Sequence, residues 1–221
     1  MKSGKSILLL MLVIQLLVLI QGCSNKKPTD RLPFFNTPDF MPVWLNPGDT
    51  GYTNIHSIPP FRFLNQLNMP VSNRNTAGKI YVANFFFTSC PTLCPKTMAN
   101  LALVQQVFES DTNVLILSHS VTPIKDSVPI LRQYAVRHHI DGKRWWLLTG
   151  DHDLLYSVAR KGYFADSAAG YEKASDQLLH SENLILVDKY GRIRGVYNGT
   201  LPFEVNRLIR HIKLLEVEKD N

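Results

Sequence analysis

The stretch Lys79-Ile80-Tyr81-Val82-Ala83-Asn84-Phe85-Phe86-Phe87-Thr88-Ser89-Cys90-Pro91-Thr92-Leu93-Cys94-Pro95 joins an apolar run to a pair of cysteines. Residues 79–87 are rich in β-branched and aromatic side chains, which predicts a strand buried on both faces at the centre of a sheet. Pro91 and Pro95 suit a helix start and would be costly deeper inside a helix. A helix is therefore predicted to open at the cysteines and to run through Met98, Leu101, Ala102, Val104 and Gln105 to Phe108. Residues four apart on a helix share a face, with β-carbons roughly 5–6 Å apart. Cys90 and Cys94 can then close a disulfide or share one metal ion. Unpaired N–H groups and the positive dipole of the helix start favour thiolate, the form that attacks and that ligates metal.

Upstream, residues 61–64 and the stretch around Pro70-Val71 read as an edge hairpin. Downstream, strands are predicted at 114–118, 144–148, 183–187 and 193–197. The last two flank the turn Asp188-Lys189-Tyr190-Gly191-Arg192. Helices are predicted at 126–138, with Ser127 as its cap, at 153–160, and at 202–218. The last has Val205, Leu208, Ile209, Ile212 and Leu215 on one face. Strands alternating with helices argue for a largely parallel α/β sheet, and the terminal hairpin adds antiparallel strands. A dithiol that ends a central strand and opens a helix is the arrangement of the thioredoxin fold. The expected class is α/β and thioredoxin-like, a central mixed sheet flanked by helices with an N-terminal hairpin and a C-terminal helix.

The N-terminus reads as a targeting segment. Lys2 and Lys5 precede an apolar stretch, residues 7–20, that is short for a membrane span and ends at Gly22-Cys23. A small residue before a cysteine resembles the lipobox of bacterial lipoproteins, which implies a signal peptide at 1–22 and acylation of Cys23. Residues 23–55, with Pro28, Pro33, Pro38, Pro42 and Pro47, read as an extended membrane tether on which Phe34, Phe35, Phe40 or Trp44 could dock back. Residues 56–221 are the expected globular domain. The protein is then extracytoplasmic, a membrane-anchored lipoprotein of a bacterial cell envelope. The chain has 221 residues, is 45% hydrophobic and carries a formal net charge of +6, without the basic runs that would indicate nucleic acid binding.

Setting Cys23 aside leaves one cysteine pair among three cysteines, which excludes a disulfide scaffold and a four-cysteine zinc site. Two thiolates suit a soft ion such as Cu(I), and a complete site needs a third ligand from elsewhere in the chain. Among seven histidines, His180 stands out, at the end of a polar loop just before the strand at 183–187. In thioredoxin-like sheets that loop faces the dithiol. His119, at a strand end, is a lesser alternative. His138 and His139 sit at a helix end, and His56, His152 and His211 read as surface residues.

Residues 84–95 with Thr97-Met98-Ala99-Asn100-Leu101, then Trp146-Leu147-Leu148-Thr149-Gly150-Asp151, then Leu179-His180-Ser181, Leu186-Val187-Asp188 and Gly191-Arg192-Ile193-Arg194-Gly195, resemble the SCO/SenC family of copper chaperones. The resemblance runs from about His56 to the C-terminus. It implies that Cys90, Cys94 and His180 bind copper, as Cu(I) and Cu(II). It also implies that the partner is cytochrome c oxidase subunit II or another copper acceptor, served by delivery to the CuA centre or by reduction of its cysteines. Thr122 stands where many relatives carry an acidic residue before a proline, while Asp126 is kept.

The same cysteines serve a thiol–disulfide oxidoreductase equally well, with Cys90 attacking and Cys94 resolving. Redox exchange does not require His180, whereas copper retention does. A peroxiredoxin-like peroxidase would need a threonine and an arginine shaping a peroxide site, and only Thr88 suggests one. A purely structural Cys90–Cys94 bridge closes too small a loop to add much stability.

Overall fold

The computed structural model describes residues 31–165 and 182–218. Cys23 and His180 lie outside the described residues. No helix among the described residues is long and apolar enough to cross a membrane. The strands are β1 (Phe34–Phe35), β2 (Pro42–Val43), β3 (Arg62–Asn65), β4 (Pro70–Ser72), β5 (Ile80–Phe86), β6 (Val114–Ser120), β7 (Trp145–Thr149), β8 (Asn183–Val187) and β9 (Ile193–Asn198). The α-helices are α1 (Asn73–Thr76), α2 (Leu93–Val107), α3 (Val128–Arg137), α4 (His152–Ser157) and α5 (Pro202–Val217).

Strands β3 to β9 form one mixed sheet in the order β4-β3-β7-β6-β5-β8-β9. β5, β6 and β7 are parallel, β8 runs antiparallel to β5, and the β3–β4 hairpin closes one edge. Every residue of β5 is buried, as its apolar run predicts for a strand covered on both faces. Its side chains alternate between two cores. Ile80, Val82 and Phe86 join Met98, Leu101 and Val104 of α2, Leu131 of α3, and Leu208 and Ile212 of α5. Tyr81, Ala83 and Phe85 join Phe61, Phe63, Leu155, Tyr163 and Ile185 on the other face. Each fully buried aliphatic or aromatic side chain of this kind contributes about 1.5–3 kcal/mol.

The N-terminal stretch departs from the expected tether. From Leu32 onward the chain packs on the domain: Leu32 and Phe34 are buried, and Phe35 and Phe40 are half-buried, while Trp44 is 58% exposed. The docking allowed for Phe34, Phe35 and Phe40 is thus present and that for Trp44 is not; Arg194, 2% exposed in the core, donates to the carbonyls of Leu32 (2.6 Å) and Pro33 (3.1 Å). The compact unit begins at Arg31 rather than at 56. The helix expected at 153–160 ends at Ser157 and passes into a π-helical turn, Val158–Gly162.

His119 is no ligand candidate. It is fully buried in β6 on the face opposite Ser118 and Ser120, stacked on Phe85 at 5.1 Å and edge-on to Phe63 at 5.9 Å. Nδ1 donates to the Asn84 carbonyl at 3.4 Å, and Nε2 is buried without a partner. Burial pushes its pKa from 6.5 down to about 4. The folded protein therefore takes up this proton less readily than the unfolded chain. The stability that neutral His119 supplies is fully present above pH 6.5 and is lost as pH falls through about 4. The expected loss across that window is on the order of 3 kcal/mol. Urea unfolding of His119→Leu against wild type should show a shallower decline of stability between pH 6.5 and 4.5, and identical slopes would contradict it.

Candidate metal centre

β5 delivers the chain to the cysteines at the C-terminal edge of the parallel strands. Cys90 N–H donates to the Phe87 carbonyl at 3.2 Å, so the chain turns sharply as it leaves the sheet. α2 begins at Leu93, which places Cys94 in its first turn and Cys90 three residues before it, not inside it. Pro91 lies in the intervening turn and Pro95 in the first helical turn, where neither removes a needed hydrogen bond. Both cysteines are free thiols and both are half-exposed. Cys94 also packs against the core under α2.

The two sulfurs differ in character. The Cys94 N–H donates to Cys90 Sγ at 3.4 Å. Burial raises the Cys90 pKa, but hydrogen bonds from the Cys94 thiol and from the amides of Cys94, Thr92 and Leu93 outweigh it and leave Cys90 below its ordinary value. Burial pushes Cys94 up to about 12, and its thiol's donation to Cys90 adds to the effect. Tyr134, buried beneath on α3, is held protonated by burial and then by the nearby Cys94 and Cys90 sulfurs.

Asp126 braces the loop, a role that the sequence did not disclose. Its carboxylate is 1% exposed and accepts from Thr88 N–H (3.1 Å), Thr88 Oγ1 (2.5 Å), Ser120 Oγ (2.6 Å) and Thr122 Oγ1 (3.0 Å). Thr88 lies two residues before Cys90, so the buried carboxylate fixes the exit of β5. Thr122 acts here as a donor to Asp126, which an acidic side chain could not do.

Among the described residues no group of three or more His, Cys, Asp or Glu side chains converges to hold a metal. The described histidines go elsewhere. His56 Nε2–H donates to the Gly162 carbonyl at 2.7 Å, His211 Nδ1 pairs with the Tyr197 hydroxyl at 2.7 Å, and His138 stacks on Tyr134 at 4.1 Å. His56 and His211 are thus half-buried and bonded rather than free at the surface.

The family model SCO1/SenC matches residues 50–215. The chain belongs to the SCO1/SenC family. Within the family it is 28% identical over 160 residues to the SCO1 protein homolog of Bacillus subtilis, covering 72% of this chain and 82% of that one. The structure of a SCO1/SenC family lipoprotein from Bacillus anthracis superposes with a TM-score of 0.64 at 28% identity, covering 73% of this chain and 95% of that one. BsSco, a member of the Sco family of cytochrome c oxidase assembly proteins in which a disulfide switch was identified, gives a TM-score of 0.63 at 25% identity, covering 75% and 96%. The seven-stranded mixed sheet flanked by helices is the thioredoxin-like fold of SCO1/SenC proteins.

Proposed function

We propose that this SCO1/SenC protein is an exported copper metallochaperone. It binds one copper ion through Cys90, Cys94 and His180 and passes it to an acceptor such as the CuA centre of cytochrome c oxidase subunit II. One observation carries the proposal. The two half-exposed thiols meet where β5 leaves the sheet, with three backbone amides turned toward Cys90 Sγ. Two sulfur donors, one held below its ordinary thiol pKa by the surrounding amides, suit Cu(I) far better than a hard cation.

Topology supports the third ligand. β8 is antiparallel to β5, with Ala83 opposite Ile185, so the chain enters β8 at the sheet end where β5 leads to Cys90. His180 lies three residues before Asn183, and three residues span at most about 11 Å. A site at the sheet edge leaves room for an acceptor's ligands to replace Cys and His one at a time. Cys23, as an acylated first residue of the mature chain, would anchor the protein in the cell envelope, in keeping with the lipoprotein from Bacillus anthracis.

Reduced full-length protein should take up about one copper per chain. His180→Ala should weaken Cu(I) binding by about a hundredfold, and unchanged affinity would remove His180 from the ligand set. In the same series Cys23→Ala should leave the membrane fraction, and retention there would speak against lipidation.

The asymmetry of the thiols favours a second reading, reduction of an acceptor's disulfide. The Cys90 thiolate would attack one sulfur of that disulfide and release the other as thiolate. Cys94, losing its proton to solvent, would then attack Cys90 Sγ. The products are a Cys90–Cys94 disulfide and a fully reduced acceptor, two electrons having moved to it. In metal-free, reduced protein at pH 7, iodoacetamide should modify Cys90 well before Cys94. Equal rates by mass spectrometry would dispose of this assignment of attacking and resolving thiols.

A further inference from the structure

α2 differs from the other two long helices in what it turns to solvent. α3 sets Val136 among Arg132, Gln133 and Arg137 on its exposed side, and α5 exposes Asn206, Arg210 and Lys213. α2 exposes Ala99, Leu103 and Val107, with Leu103 and Val107 left 46% and 47% accessible. These three recur every fourth residue, so they form one ridge along the helix. Met98, Leu101 and Val104 take the other side of α2 into the core. Cys94 precedes Leu103 by nine residues, about two and a half turns, so it lies across the helix from the ridge. Lys96 is the single charged residue within α2, and Glu109 stands just beyond its C-terminal end. Both are exposed, and neither forms an ion pair among the described residues.

We propose that this ridge is the contact surface of a homodimer. Its occupant is a second copy of this chain, laid antiparallel across a two-fold axis at Leu103. The order of the exposed residues names that occupant. Ala99 and Val107 lie four residues to either side of Leu103. The axis therefore stacks Leu103 on Leu103 and sets the small Ala99 of each copy against Val107 of the other. Lys96 lies seven residues before Leu103 and Glu109 six after it, so each lysine meets the other copy's glutamate. It also meets the C-terminal end of that copy's α2, whose carbonyls favour a cation. A shallow crossing of about 20° keeps these ends within side-chain reach. A bilayer surface would call for several cations around the ridge, and α2 carries one. The apolar area is modest, so the dimer is weak, with a Kd of about 10–100 µM. The thiols lie across the helix from this contact, and the copper reading does not depend on it.

The test is sedimentation equilibrium of the full-length chain, reduced and metal-free, in a density-matched neutral detergent from about 5 to 500 µM. The wild type should pass from monomer to dimer across that range. Leu103→Glu places two like charges on the axis and should weaken association more than about tenfold. Lys96→Glu and Glu109→Lys should each weaken it about tenfold, and the two combined should restore it to within about threefold of wild type. Lys96 and Glu109 are exposed, so this charge exchange carries the test if Leu103→Glu misfolds. A wild type that stays monomeric throughout would overturn the proposal. So would association undiminished in Leu103→Glu, which would place the contact elsewhere on the chain or in its leader. A charge exchange that fails to restore association would overturn the antiparallel pairing. Copper uptake per chain should be unchanged in Leu103→Glu. Absence of copper binding in the wild type would sink the metal assignment without touching this one.

Discussion

Cys90→Ser and Cys94→Ser should each reduce Cu(I) affinity by roughly a thousandfold or more, because a soft ion loses one of two thiolates and the hydroxyl that replaces it is a poor ligand. Competition with a chromophoric Cu(I) chelator reads this directly. The two variants should differ in a second respect. Cys94→Ser leaves the amides of residues 92–94 around the Cys90 sulfur, so Cys90 stays reactive toward alkylation. Cys90→Ser leaves only Cys94, whose pKa burial holds high, and reactivity at neutral pH should collapse. Tight binding by either variant would move the weight of the case to thiol exchange.

Asp126→Ala should be the most damaging change that touches no proposed ligand. It strips the acceptor from four donors gathered on one buried carboxylate. Charge-assisted bonds of this kind are worth more than neutral ones, and leaving their donors buried adds a desolvation cost. A loss of about 3 kcal/mol in unfolding free energy is expected. Thr88 would also lose both of its bonds to the carboxylate, so the turn into Cys90 loosens and copper affinity falls together with stability. Asp126→Asn, which keeps one acceptor oxygen, should sit between wild type and Asp126→Ala. A denaturation midpoint unchanged in Asp126→Ala would show that the carboxylate does not brace the loop.

The sequence disclosed what depends on local pattern. An unbroken apolar run ending in Thr88-Ser89-Cys90-Pro91 can be little other than a central strand feeding a helix, and β5 and α2 lie there. The β8–β9 hairpin and α5 were legible for the same reason, a turn signal between β-rich runs and a helical apolar stripe. What escaped depends on contacts distant in the chain. Arg194 secures Leu32 and Pro33 from 162 and 161 residues away, so the proline-rich segment is held by backbone contacts that its own residues do not announce, beyond the aromatic docking they suggested. His119 read as a strand-end residue and a lesser ligand candidate, because the aromatic rings that bury it come from β3, β5 and the turn at Tyr163. Asp126 was visible only as the start of a predicted helix and as an acidic residue kept after the strand at 114–118. Nothing in its immediate neighbourhood indicates that Thr88, 38 residues earlier, hangs on it. The π-helical turn at Val158–Gly162 has no sequence signature of its own, although Gly162 fits a spot where an added Cβ would meet Pro59 at 2.7 Å.

The most direct test of the copper assignment is X-ray absorption of the full-length, Cu(I)-loaded protein beside its His180→Ala variant. Two sulfur scatterers and one imidazole nitrogen are expected in the wild type, with only the imidazole contribution lost in the variant. A wild-type spectrum of nitrogen and oxygen ligands without sulfur, or an imidazole signal that persists in His180→Ala, would contradict the convergence of Cys90, Cys94 and His180 on one ion.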